Sequence, residues 1–187
     1  MGYLSIDQLN DIGFKAIGSN IKISEFARIY NPQNIAIGNN VRIDDFAILS
    51  AGDGGITLGD YVHISSFCGL IGAGEIVMES FAGLSSRVFI YSSSDDYSGQ
   101  SLTNPTVPDA YTDVESAPVR IGKHVILGSC ATVLPGVTIG SSTAIGAYSL
   151  VNNDIPEGVI AVGQPCHEIR KRSLKHLELE KELLNRS

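Results

Sequence analysis

The chain has no tryptophan, only two methionines and three cysteines, and charged residues make up just 18% of its 187 positions. Cys68, Cys130 and Cys166 have no metal-like spacing. Cys68 falls at a small-residue place in the pattern described below, so it reads as a core filler in a reduced, cytoplasmic setting. No apolar run approaches the roughly 18 residues that a membrane-spanning helix needs, so no membrane insertion is expected. The start, Met1-Gly2-Tyr3-Leu4-Ser5-Ile6, lacks a basic segment leading into an apolar core. No secretory signal is therefore expected, and position six lacks the Ser or Thr of a myristoylation motif. Positive charge is also scarce: 13 Lys and Arg face 20 Asp and Glu, a net −7. That balance argues against nucleic acid as a partner.

What is abundant is a period. Ile121, Leu127, Val133, Ile139, Ile145 and Val151 stand six apart, and Val125, Ala131, Val137, Thr143 and Ser149 follow the first five by four. A helix of period 3.6 cannot hold such a stripe on one face. A triangular coil can, with one short strand and one turn per hexapeptide and the apolar residue inside the prism. The pattern recurs at Ile17, Ile23, Ile29 and Ile35, at Ile37, Ile43 and Leu49, at Leu58, Ile64 and Leu70, and at Met78, Leu84 and Ile90. Block starts are 20, 21, 20 and 43 residues apart. Three hexads make one coil, so the short excesses are corner bulges and the long one is an insertion at about 92–117. Each coil buries its interior only against its neighbours, which makes the core quasi-one-dimensional. Gly18, Gly38, Gly59, Gly122, Gly140 and Gly146 sit at the second hexad place, where a corner of positive φ would suit glycine.

The expected fold is all-β, a parallel β-helix with a protruding loop and a short C-terminal α-helix, in a single domain over 1–187. A lead-in occupies 1–16, coils run over 17–165, and a helix is predicted over 166–187 from the stripe Ile169, Leu177 and Leu184. The insertion is too long for a simple connection and therefore reads as functional. Its Tyr97, Asn104, Pro105, Pro108 and Tyr111 suit an ordered lid that stacks on a sugar and hydrogen-bonds it.

Residues 119–171 contain Leu134-Pro135-Gly136-Val137-Thr138-Ile139-Gly140 and Gly163-Gln164-Pro165-Cys166. With these stretches the coil region resembles the hexapeptide-repeat acetyltransferases of the galactoside, maltose and xenobiotic acetyltransferase group. Ser92 through Gly99, with Leu102-Thr103-Asn104-Pro105, further resembles the subset found among surface-polysaccharide and nucleotide-sugar acetyltransferases. The resemblance implies a left-handed β-helix, a homotrimer, and acetyl-CoA as donor in a groove between subunits. It implies that Ser129 and Ala147 border the pantetheine arm, that Asn152 lies near CoA, and that Arg170 lies near the adenosine phosphates. A narrow groove needs small residues, and a phosphate suits a guanidinium.

The chain departs from the group at the catalytic base. A gap-free reading of Met78 through Ile90 and onward puts Asp95 where galactoside-type enzymes carry a histidine, and no histidine lies in 64–123. A carboxylate of reference pKa about 4 is a poor base toward a sugar hydroxyl, but it can position an amine or accept its proton. The expected acceptor is therefore an amino sugar, and the resemblance implies that it is linked to a nucleotide and destined for O-antigen or other surface polysaccharide. Its amine would attack the thioester directly, without a cysteine acyl-enzyme, and a backbone amide would hold the oxyanion. His63 and His124 are the alternative bases, and Asp96, Tyr97 and Asn104 are candidate acceptor contacts. O-acetylation of a sugar hydroxyl and a non-enzymatic sugar-binding β-helix remain open alternatives. A three-histidine metal site is disfavoured, because the coils hold only His63 and His124.

Overall fold

The computed structural model describes residues 2–185. Hexads fold into strands of two to four residues that stack into the three faces of a parallel β-helix. Face one stacks Ala16–Ile17, Ile35–Ile37, Ile56–Leu58, Ile76–Met78, Val119–Ile121 and Thr138–Ile139. Face two stacks Lys22–Ile23, Arg42–Ile43, His63–Ile64, Gly83–Leu84, Ile126–Leu127, Ala144–Ile145 and Val159–Val162, and ends on His167–Lys171. Face three stacks Arg28–Tyr30, Ile48–Ala51, Gly69–Gly72, Phe89–Tyr91, Thr132–Val133 and Leu150–Val151.

The apolar hexad residues superpose rung on rung. Ile17, Ile37, Leu58, Met78, Ile121 and Ile139 form one continuous column of register partners. Apart from Ile17, all are buried to 3% exposure or less. Val125, Ala131, Val137, Thr143 and Ser149 fill the inner corners. Parallel strands normally need both faces covered. Here the inner face is covered by the other two sides of the prism, which is why period six rather than two governs burial.

The corner glycines have a different role from the one expected. At the face one to face two corner the left-handed backbone belongs to Asn20, Asn40, Tyr61, Phe81, His124 and Ser142. The glycine two places earlier is needed for close approach: a Cβ at Gly38 would lie 2.5 Å from Asp60 Oδ1 and 2.7 Å from the carbonyl carbon of Gly59.

Both ends are capped. The lead-in forms a helix, Ile6–Asp11, closed by a capping box between Ser5 and Gln8, and its Leu9 packs on the first coil. The helix expected over 166–187 is shorter than predicted, spanning His176–Leu184. His167–Lys171 is instead a strand, antiparallel to Val159–Val162. It covers the open edge that a parallel ladder would otherwise present at its last rung. The insertion leaves face three after Tyr91 and returns at Val119 through a neck, where Ser93–Ser94 pairs antiparallel with Glu115–Ser116.

Candidate active site

Side chains that point outward from face two form a second column. His63, Gly83, Ile126, Ala144, Ile160 and Arg170 are successive register partners. Five rungs of about 4.8 Å separate His63 from Arg170, so the column is about 24 Å long. Between His63 and Arg170 it carries only glycine, alanine and isoleucine.

Near the His63 end lies a cleft of about 260 Å³, bordered by His63, Ser65, Gly83, Ser85, Ser86 and Ser129. Ser86, Ser129 and Ala147 occupy the same corner place in successive coils. Ser129 borders the His63 cleft, and Ala147 is exposed one rung further on. Arg170 is exposed at the far end of the column, and Asn152 is exposed just past the last strand of face three. Ser65 and Ser86 bond to each other, Oγ to Oγ, at 3.1 Å.

His63 is held from behind. Its Nε2 lies 2.9 Å from Asp44 Oδ2, and the Nε of Arg42 donates to Asp44 Oδ1 at 2.7 Å. The Asp44 side chain is only 6% exposed, whereas that of His63 is 48% exposed. Burial alone would raise the pKa of Asp44. Hydrogen bonds from Arg42 and His63 outweigh it and hold the carboxyl below its ordinary value.

Asp95 lies elsewhere. It is exposed at the foot of the insertion, in a second cleft of about 670 Å³ between the loop and the outward residues Ser50 and Ile71 of face three. Asn104 borders the same cleft, its Oδ1 accepting from the Thr106 backbone N–H at 3.0 Å and hydroxyl at 2.6 Å. Asp96 is used by the loop itself. It accepts from the Ser98 N–H at 2.6 Å and the Ser101 N–H at 2.8 Å, and hydrogen bonds from Ser98, side chain and backbone, lower its pKa. Tyr97 is 93% exposed and borders neither cleft.

His124 borders neither cleft. Its Nε2 lies 2.7 Å from Glu180 Oε2, and its ring stacks 4.9 Å from Phe81 and meets His176 edge-on at 4.7 Å. The C-terminal helix occupies it. Arg172 pins the same region, its Nη1 donating to the carbonyls of His124 at 2.9 Å and Thr143 at 3.1 Å. Within one chain, therefore, the structure brings His63 together with Ser129, and Asp95 together with Asn104, in two separate clefts.

Sequence reasoning missed Asp44, Gly83, Ser65, Ser85 and Ser86. Stacking the coils at their spacing of 20–21 would have exposed them. Asp44 is the one acid in a column whose other places are Ser24, Ser65, Ser85, Gly128 and Gly146, and Gly83 is the one glycine in the outward column. Among the described residues no group of three or more His, Cys, Asp or Glu could hold a metal ion. No described helix is long and apolar enough to cross a membrane.

Residues 118–153 match the family described as bacterial transferase hexapeptide (six repeats). The dTDP-4-amino-4,6-dideoxy-D-glucose acyltransferase of Escherichia coli is 49% identical over 180 residues, 96% of this chain and 94% of that protein. The N-acyltransferase AntD of Bacillus cereus, solved with dTDP and 3-hydroxybutyryl-CoA, superposes with a TM-score of 0.94 at 43% identity, over 98% of this chain and 96% of that one. Variants of AntD have been solved with CoA, changed either at one serine or at an aspartate ten residues later. By contrast, the galactoside O-acetyltransferase of Escherichia coli K12 is 48% identical over only 59 residues, 32% of this chain and 29% of that protein.

Proposed function

The chain belongs to the bacterial hexapeptide-repeat acyltransferases, and from that premise we propose that it moves an acetyl group from CoA to the amine of a dTDP-linked amino sugar. One observation carries this choice of acceptor. The likeness to the amino-sugar enzyme extends over 180 residues, so it takes in the insertion as well as the coils, whereas the likeness to the galactoside O-acetyltransferase is confined to 59.

The outward column of face two supports a donor lying along it, with its phosphates at Arg170 and its thioester beside Gly83, at the serine-lined cleft. Ser129, Ala147 and Asn152 border that course as small or uncharged residues. Asp95 supports recognition of the acceptor: a carboxylate at the loop foot is a counter-ion for an ammonium and orients the amine once neutral. The spacing of ten between Ser85 and Asp95 equals that between the two positions varied in AntD. Asn104 assists Asp95 in the same cleft, and Tyr97 stays available to cover a sugar from the loop. His124 serves the C-terminal helix.

Donor and acceptor clefts lie on different faces of one prism, so a complete site requires a neighbouring copy. The assembly is a homotrimer in which the loop of one subunit faces the donor column of the next. Half-exposed Phe26, Phe46 and Phe67, stacked along the face two to face three corner, support burial there on assembly. Both substrates are water-soluble anions. The reaction is placed in the cytoplasm, where it supplies acylated sugars for surface polysaccharide.

The test is turnover of acetyl-CoA with a dTDP-4-amino sugar and with the matching dTDP-4-hydroxy sugar, following CoA thiol release and product mass. Amide formation on the amine alone is expected. Equal turnover of the hydroxyl sugar, or thiol release from neither, overturns the reading.

A further inference from the structure

We propose that Asp44 is a positioning residue for acyl transfer, fixing His63 in the tautomer whose Nδ1 accepts the proton of the attacking amine. The inference rests on the reaction proposed above and adds a residue and a proton path to it. A carboxylate only accepts hydrogen bonds. The 2.9 Å contact from His63 Nε2 to Asp44 Oδ2 therefore places the ring proton on Nε2 and leaves the lone pair on Nδ1. Asp44 itself cannot turn away, because its other oxygen is fastened to Arg42 Nε at 2.7 Å and its side chain is 6% exposed.

Two further observations give the arrangement a purpose beyond packing. The corner place of Asp44 holds serine in neighbouring coils, at Ser24, Ser65 and Ser85, so the fold does not require a buried acid there. Gly83, the rung next to His63, is also unexplained by packing: a Cβ built on it meets nothing within 4 Å, and its φ is not positive. The strand would accept a side chain. What the glycine provides is open space beside the imidazole, at the wall formed by Ser85, Ser86 and Ser129.

The chemistry follows. The neutral amine, oriented by Asp95 of the facing loop, attacks the thioester carbonyl carbon with its lone pair, and the C–N bond forms as the carbonyl π pair moves onto oxygen. The nitrogen becomes positively charged and gives one proton to His63 Nδ1. The oxyanion collapses, the C–S bond breaks, and the departing thiolate takes the proton from the imidazolium. Amide and CoA thiol result, with His63 restored. An imidazole exchanges protons near neutral pH, where a carboxylate of reference pKa about 4 does not. This divides the labour between Asp95, which orients, and His63, which moves the proton.

The test uses the full-length enzyme with acetyl-CoA and a dTDP-4-amino sugar. His63→Ala is expected to lower kcat about 10²-fold and Asp44→Asn about 10-fold to 10²-fold, with KM for acetyl-CoA changed less than about twofold. Because Asp44 acts through His63, the double variant should be no slower than His63→Ala alone. A double variant slower by the product of the two single effects overturns the proposal, as does Asp44→Asn with full kcat. Should Asp44→Asn fail to fold, the wild-type protein still decides. The nitrogen-15 shifts of His63 must report a proton on Nε2, and a proton on Nδ1 instead overturns the proposal. Absence of amine acylation by the wild type would sink the functional reading, while the tautomer measurement judges the Asp44 contact separately.

Discussion

Gly83 and Gly59 are both glycines of the coils, and replacing each by alanine should act in opposite directions. At Gly83 the added methyl meets nothing within 4 Å, while at Gly59 it would lie 2.6 Å from the Ser80 backbone nitrogen. Neither has positive φ, so backbone strain enters in neither case. Gly83→Ala removes freedom from the unfolded chain and should stabilise by about 0.4–1 kcal/mol. For a chain of this size that raises the melting temperature by about 1–4 °C. Gly59→Ala must push one coil off the next and should cost about 1–3 kcal/mol. The Gly83 methyl also enters the 260 Å³ cleft beside His63. A misfit of about 1.4 kcal/mol there corresponds to a tenfold rise in KM for acetyl-CoA. Thermal melts and steady-state thiol release on the two variants make the assay. A Gly83→Ala enzyme that melts lower, as Gly59→Ala should, would refute the claim that the coil does not need this glycine. One that melts higher with unchanged kinetics would refute the claim that the space belongs to the donor.

Asp95→Asn should lower kcat/KM for the amino sugar by at least about tenfold while calorimetry finds acetyl-CoA binding unchanged, since its cleft is not the donor's. Arg170→Ala should raise KM for acetyl-CoA with kcat held, as loss of binding shared by ground and transition states does. Acid should loosen the C-terminal helix before the coils. Burial first, then nearby His124 and Arg172, lowers the pKa of His176, and hydrogen bonds from Lys123 and His124 lower that of Glu180 against the effect of burial. Both groups bind protons more readily when unfolded, so their contribution is complete above about pH 6.5 and falls away as pH drops. Amide protection across His176–Leu184 should therefore fall below that pH ahead of protection at Ile121 or Leu127.

Much of the fold was legible because burial here obeys one period. Ile121, Leu127 and Val133 announce their coil, and the insertion shows itself as a break in the count. The corner glycines were misread because positive φ and close approach both select glycine. The ladder of Asn20, Asn40, Tyr61, Phe81 and His124 carries the left-handed backbone instead. The strand His167–Lys171 was read as helix because Ile169 falls on a helical stripe with Leu177 and Leu184. The need that makes it a strand is the open edge of Val159–Val162, a property of the finished prism. The site was half legible. Asp95 and Ser129, read from motifs, each border a cleft, but the Asp44–His63 contact joins residues 19 apart that only the stacking of coils brings together.

The column from Arg170 to His63 is a ruler. Its length is fixed by counting rungs, each about 4.8 Å, and not by the reach of any flexible side chain. A duplicated three-hexad coil inserted between Ile126 and Ala144 would leave every strand paired and every core residue buried. It would lengthen the distance from Arg170 to His63 by one rung. The span between Arg170 and His63 is thus set in whole steps by the number of coils rather than by the conformation of any side chain.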